Sequence, residues 1–236
     1  MILITFDIDW APDEFIADTL NLLDVAGVKT TFFATHATPL LKDIEGHEVG
    51  IHPNFLNCTV KDYSVELDKL MNLYPQAKGV RCHSYYENYY LLDMYKSYGL
   101  IYDSSLLTFG CKEIHPFRHW DGLVRIPVFW EDMMNCRFRG GWDTQDLPIK
   151  DNSLYVFDFH PTSVFLNIES VERWNSAKPY YYPQPNISKL REFINPESSG
   201  VGSRVFLKKL MNIVGNSSKT LKDYAREYGD DEVKRT

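Results

Sequence analysis

The sequence predicts an α/β fold: a distorted or incomplete (β/α) barrel, TIM-like, with mostly parallel strands. Three observations predict it. Short apolar, β-branched runs alternate with segments of helical period, several of those runs end on aspartate, arginine or histidine, and no glycine-rich dinucleotide loop follows the first strand. Alternation of strands and helices implies a parallel sheet, because each crossover must return the chain to the same end. Its repetition over 236 residues favours a barrel over an open doubly wound sheet.

Residues 2–6 (ILITF) make an apolar run that stops at Asp7, which predicts a buried first strand. In residues 14–28, Ile16, Leu20 and Leu23 fall at helical spacing, Phe15 and Leu22 widen the apolar face, and Gly27 supplies a stop. Residues 30–36 (TTFFATH) and 47–52 (HEVGIH) read as the second and third strands, with a short helix between them. Later strands are expected at 79–86, 101–106, 122–130 and 153–161, and helices at 65–74, 91–99, 186–194 and 204–214. The segments 179–186, with three tyrosines, and 196–203 read as loops. Residues 1–216 are expected to form one domain and 217–236 a peripheral polar tail.

Composition narrows the function. With 44% hydrophobic and 24% charged residues the chain can bury a core, and a net charge of −7 offers no basic field for nucleic acid. No apolar run approaches the roughly 18 residues of a membrane span, and the opening MILITFDIDW lacks the pattern of a signal peptide, so a cytoplasmic protein is expected. Cys58, Cys82, Cys111 and Cys136 show no paired metal or redox spacing and read as reduced thiols.

In a parallel barrel, reactive groups gather at the C-terminal ends of strands. Asp7 and Asp9 end the first strand two residues apart and so share a face, although either alone would also suit the start of the following helix. His52 ends the third strand before Pro53. Arg81 and His83, then Asp158 and His160, repeat the two-residue spacing. Asp158 reads equally as half of a buried ion pair, and His83 as a loop histidine. Histidine and aspartate converging on one mouth suit a divalent metal bound by nitrogen and oxygen. Aromatic residues beside the loops, Trp10, Tyr85, Tyr86, Trp120, Trp130 and Trp142, are candidates for sugar stacking, with Trp130 read as core and Trp10 preferred.

Over residues 1–165 the sequence resembles the polysaccharide deacetylase superfamily, the chitooligosaccharide deacetylase homology group of carbohydrate esterases. TFDID is similar to its first motif, GHEVGIH to the segment before its first metal histidine, and FDFHP to its last motif. TTFFATH, YDSS and RIPVFWED resemble further family segments. The resemblance implies Asp7 as catalytic base, Asp9 and His52 as metal ligands, Arg81 as the partner of the base and His160 as general acid. Leu56 stands where the family has its second metal histidine. His83, after the motif-three arginine, is the preferred replacement, with Asn54 the other candidate. Trp10, Asn54 and Tyr85 are expected to contact substrate. The implied activity is removal of an N-acyl group, usually acetyl, from a sugar, with a divalent metal, zinc first, as cofactor. The substrate would be nucleotide- or lipid-linked, within surface-polysaccharide assembly. Two other readings stay open: a non-catalytic carbohydrate-binding relative, and a hydrolase of another amide such as an N-formyl sugar.

Overall fold

The computed structural model describes residues 1–111, 113–147, 153–182 and 184–233. The first half alternates as expected: β1 (Ile2–Asp7), α1 (Asp13–Ala26), β2 (Thr31–Ala34), β3 (Glu48–Ile51), α2 (Tyr63–Leu73), β4 (Gly79–Val80), α3 (Tyr89–Ser97) and β5 (Tyr102–Asp103). Then come the short strands β6 (Phe117–Arg118), β7 (Val124–Arg125) and β8 (Trp130–Glu131), helix α4 (Asp132–Phe138) and strand β9 (Tyr155–Phe159). Helices α5 (Pro161–Leu166), α6 (Val171–Ala177), α7 (Ile187–Leu190), α8 (Ser203–Val214) and α9 (Leu221–Val233) complete the described chain.

The nine strands form one sheet in the order β6-β7-β5-β4-β3-β2-β1-β9-β8, parallel except where β6 meets β7. This is the incomplete barrel that the alternation predicts. Helix α1 follows the expected pattern: Phe15, Ile16 and Leu23 are buried, and Gly27 ends it in the left-handed conformation (φ 64°) that glycine adopts without steric cost.

The expected strand at 122–130 is two strands, which is a correction. Pro127 lies between them and cannot donate to a ladder. β7 pairs with β5, whereas β8 pairs with β9 at the far end of the sheet. Between them Val128 N donates to Leu106 O, and Phe129 N donates to Val156 O. This single stretch therefore hydrogen-bonds towards both ends of the open sheet.

The residues after 217, expected as a peripheral polar tail, include helix α9, whose inner face is buried. Leu221 and Ala225 pack with Leu3, Phe33, Tyr102 and Val156 in the apolar interior of the sheet. Leu221 N donates to Thr31 Oγ1 and Lys222 N to Glu48 Oε2, both at 2.8 Å. Only a few apolar residues at helical spacing are needed to dock such a helix, and its mean polarity hides them. Glu48 also accepts from the Thr31 and Tyr102 hydroxyls. Gly79 makes room for that tyrosine: a Cβ there would lie 1.8 Å from Tyr102 Cζ. The larger apolar cluster, including Ile4, Phe6, Ile16, Leu23, Phe32 and Leu67, lies between the sheet and the helices.

Candidate active site

At the C-terminal end of the sheet a cavity of about 690 Å³ opens over Asp7, Asp9, His52, His83 and His160. Side-chain alternation delivers most of these groups. Arg81 points inward and is fully buried, Cys82 turns outward against Tyr95, and His83 again reaches the mouth. On β9 the same alternation buries Asp158 inside, packs Phe159 outward, and leaves His160 facing the cavity.

Asp9 arrives by a different route from the one its spacing suggests. The first strand ends at Asp7, and both Asp9 (φ 39°) and Trp10 (φ 57°) adopt left-handed backbone, closed by a hydrogen bond from Ala11 N to Ile8 O. For residues other than glycine this conformation costs of order 1 kcal/mol or more and persists where surrounding contacts fix it. Here Tyr181 donates its hydroxyl to Asp9 O at 2.6 Å, and Trp10 N donates to Thr35 Oγ1 at 3.0 Å.

The Asp9 carboxylate is the hub. Its Oδ1 lies 3.2 Å from His52 Nε2 and 3.1 Å from His83 Nδ1, while Oδ2 lies 3.5 Å from His160 Nε2. His52 Nε2 is also 3.6 Å from Asp7 Oδ2. Burial opposes ionisation of Asp9, but the hydrogen bonds to His52 and His83 hold its carboxyl well below the usual carboxylate range. Burial lowers the proton affinity of His52, which favours the neutral imidazole that a metal requires. Asp9, His52 and His83 offer ligand atoms that all lie within 4.8 Å of one another. Two imidazoles and one carboxylate are a donor set that fits a divalent transition metal.

Beneath the hub lies a buried ion cluster. Arg81 Nη1 donates to Asp7 Oδ1 at 3.0 Å, to Asp158 Oδ1 at 2.5 Å and to Thr5 Oγ1 at 2.9 Å. Its other nitrogens donate to Ser104 O and Oγ, and its guanidinium stacks over Phe33. Despite burial, the two carboxylates hold Arg81 more firmly protonated than usual. One cation between two buried carboxylates leaves an excess of negative charge, so burial raises the Asp7 carboxyl and pushes Asp158 up to about 8.

His160 has its own partners, which the sequence motifs did not single out for it. Its Nδ1 lies 2.8 Å from Asp132 Oδ1, and its backbone N donates to Asp132 Oδ2 at 2.9 Å. Burial opposes charge on His160, but Asp132, Asp9 and Glu131 outweigh it and hold the imidazole protonated well above its ordinary range. Glu131 caps α4, accepting from Met133 N and Met134 N. Glu131, Asp132 and His160 form a second cluster of metal-ligating type.

Of the expected substrate contacts, Trp10, Asn54 and Tyr85 all line the cavity. The Tyr85 hydroxyl, however, donates to Asp158 Oδ2 at 2.8 Å, and Asn54 Oδ1 accepts from Leu56 N at 3.1 Å. The Tyr85 hydroxyl proton and the Asn54 carbonyl oxygen are thus committed to the protein. Leu56 itself is half exposed and does not line the cavity, while Trp10 meets the His83 ring edge-on at 5.2 Å. Trp130 and Trp142 are core residues, and Trp120 is exposed away from the cavity. Trp174, Tyr181 and Tyr182, from the segment around the three-tyrosine loop, complete the wall.

Comparison with known proteins bears on the family and the fold. No match is found among curated proteins. A family model described as WbmS-like polysaccharide deacetylase matches residues 4–178. A Bordetella bronchiseptica protein described as a candidate polysaccharide deacetylase involved in O-antigen biosynthesis is 35% identical, with a TM-score of 0.81 over 89% of each chain. A candidate polysaccharide deacetylase of Mycobacterium smegmatis shares the fold at 18% identity, with a TM-score of 0.51 over 86% of this chain and 92% of that one. The family match over most of the chain, joined to the first of these structures, establishes that the chain belongs to the WbmS-like polysaccharide deacetylase family.

Proposed function

We propose that the protein is a metal-dependent hydrolase that removes an N-acyl group, acetyl first, from a sugar during assembly of a surface polysaccharide. The observation that carries this reading is Asp9 Oδ1 lying 3.2 and 3.1 Å from His52 Nε2 and His83 Nδ1, with Asp7 Oδ2 3.6 Å from His52 Nε2 and His160 Nε2 3.5 Å from Asp9 Oδ2. In this reading Asp9, His52 and His83 hold the cation, zinc first, and His83 replaces the family histidine absent at Leu56. When bound, a divalent cation supplies Lewis acidity that polarises the acyl carbonyl and eases deprotonation of water.

The remaining chemistry belongs to the chain. Asp7, oriented by Arg81, accepts a proton from the water that attacks the acyl carbon. Burial raises the proton affinity of Asp7, which suits a group that must keep the proton it takes. His160, kept protonated and oriented by Asp132, gives its proton to the leaving nitrogen as the carbon–nitrogen bond breaks. The products are a carboxylate and a free amine. Trp10 offers its ring to the sugar face, beside Asn54 and Tyr85 on the same wall. The Bordetella relative's designation in O-antigen biosynthesis supports a sugar of a surface polysaccharide as substrate; in this reading that sugar is nucleotide- or lipid-linked and the reaction cytoplasmic.

The test is metal analysis of purified protein together with amine release from N-acetylated and N-formylated amino sugars. Bound metal with chelator-sensitive release supports the reading. Release that survives complete metal removal, or none from any sugar in metal-replete protein, defeats it. His83→Ala is expected to weaken metal binding by about tenfold or more; unchanged affinity would move the third ligand elsewhere.

A further inference from the structure

If the cavity over Asp9 takes an acylated sugar, as just proposed, its charge pattern adds a demand on that sugar. The floor is acidic, with Asp7, Asp9 and Glu131 among its lining residues, and the whole chain carries a formal charge of −7. Among the described lining residues, Lys178 is the only lysine or arginine. It begins a 3₁₀ turn, Lys178–Tyr180, directly after α6. Trp174, four residues earlier on that helix, lines the same wall, because positions four apart share a helix face.

The backbone beneath Lys178 is fixed. Its N–H donates to Trp174 O, and its carbonyl accepts from Tyr181 N at 3.0 Å and Tyr182 N at 3.3 Å. Its ammonium has no hydrogen bond or ion pair with any described residue. By contrast, Lys189 pairs with Glu192 at 3.0 Å, Lys208 with Glu197 at 2.5 Å and Lys219 with Glu227 at 2.6 Å. Trp174, Tyr181 and Tyr182 line the same cavity, and Lys178 is itself exposed, so its ammonium is open to an arriving anion.

We propose that Lys178 selects substrates that carry an oxyanion, a phosphate or a carboxylate, which it holds while the acylated nitrogen lies over Asp9. A neutral sugar gains nothing from this lysine. Without Lys178, an anionic sugar would find His160 and the cation proposed at Asp9 as the only positive charges set against the acidic floor.

The test is equilibrium binding to the full-length, metal-loaded protein of three ligands: N-acetylglucosamine, its uridine-diphosphate conjugate and an N-acetylamino uronic acid. At least one anionic ligand should bind the parent more tightly than the neutral sugar. Lys178→Gln should weaken that ligand by about fivefold or more, Lys178→Arg should retain most of its affinity, and the neutral sugar should change by less than about twofold. Which anionic ligand responds separates phosphate from carboxylate. Equal affinity for all three in the parent, equal losses in the glutamine variant, or failure of both anionic ligands to bind overturns the proposal. Amine release measured alongside keeps the two ideas apart. Binding that depends on Lys178 without release from any sugar defeats the hydrolase reading alone, and release indifferent to Lys178 defeats anion selection alone.

Discussion

Glu48 at the base of the barrel and Asp7 at its mouth are both buried carboxylates whose proton affinity burial raises, yet they are held in different ways. Glu48 accepts from two hydroxyls and a backbone N–H, all neutral donors, and α9 lies over it. Asp7 is held by a guanidinium and a histidine and opens into the cavity. Burial and a raised pKa alone therefore do not mark a reactive group. Saturation by neutral donors under a helix marks a structural carboxylate, whereas a guanidinium partner and access to a cavity mark a chemical one.

Three measurements can break or sharpen that contrast. The largest effect is expected at the mouth: Asp7→Asn should cut turnover by about 10³-fold while metal content stays unchanged. Activity near that of the parent would remove Asp7 from the chemistry. At the base, Leu221→Ala should lower unfolding free energy by about 3 kcal/mol in urea titrations, because a fully buried side chain is truncated, while metal affinity is retained. A loss of metal binding in folded protein would show that the two ends are coupled.

The smallest effect concerns Asp158, between the two. Its folded pKa of about 8 exceeds the ordinary 3.8, so its contribution to stability is complete below about pH 4 and is lost as pH rises through about 8. Asp158→Asn should flatten the fall in stability of metal-free protein between pH 5 and 7, by at most about 1.4 kcal/mol per pH unit. Parallel slopes for parent and variant would mean that Asp158 is ionised throughout.

The mouth was more legible in the sequence than the base. Strand alternation brings Arg81 with His83 and Asp158 with His160, and it survives in the structure because those segments stay extended past their last ladder bonds. Asp9 reaches the same site through two left-handed residues, which residue spacing does not encode. The partnership of Asp132 with His160 joins the start of α4 to the end of β9, 28 residues apart, and side-chain period has no bearing on it. Pro127 was the visible signal that the strand at 122–130 divides, and its effect depends on which sheet edge each half meets. Helix α9 was hidden by its polarity, because only Leu221 and Ala225 are fully buried in the inner cluster, with Tyr224 and Tyr228 packed partly against it.

That helix also dictates an order of events during synthesis. β1 pairs with β9 across about 150 residues, and the inner apolar face of the sheet stays uncovered until translation has passed residue 225. A nascent chain stalled earlier presents Leu3, Val156 and Tyr102 to the solvent, an invitation to chaperones. The last helix described is thus the piece that completes the cover over that face.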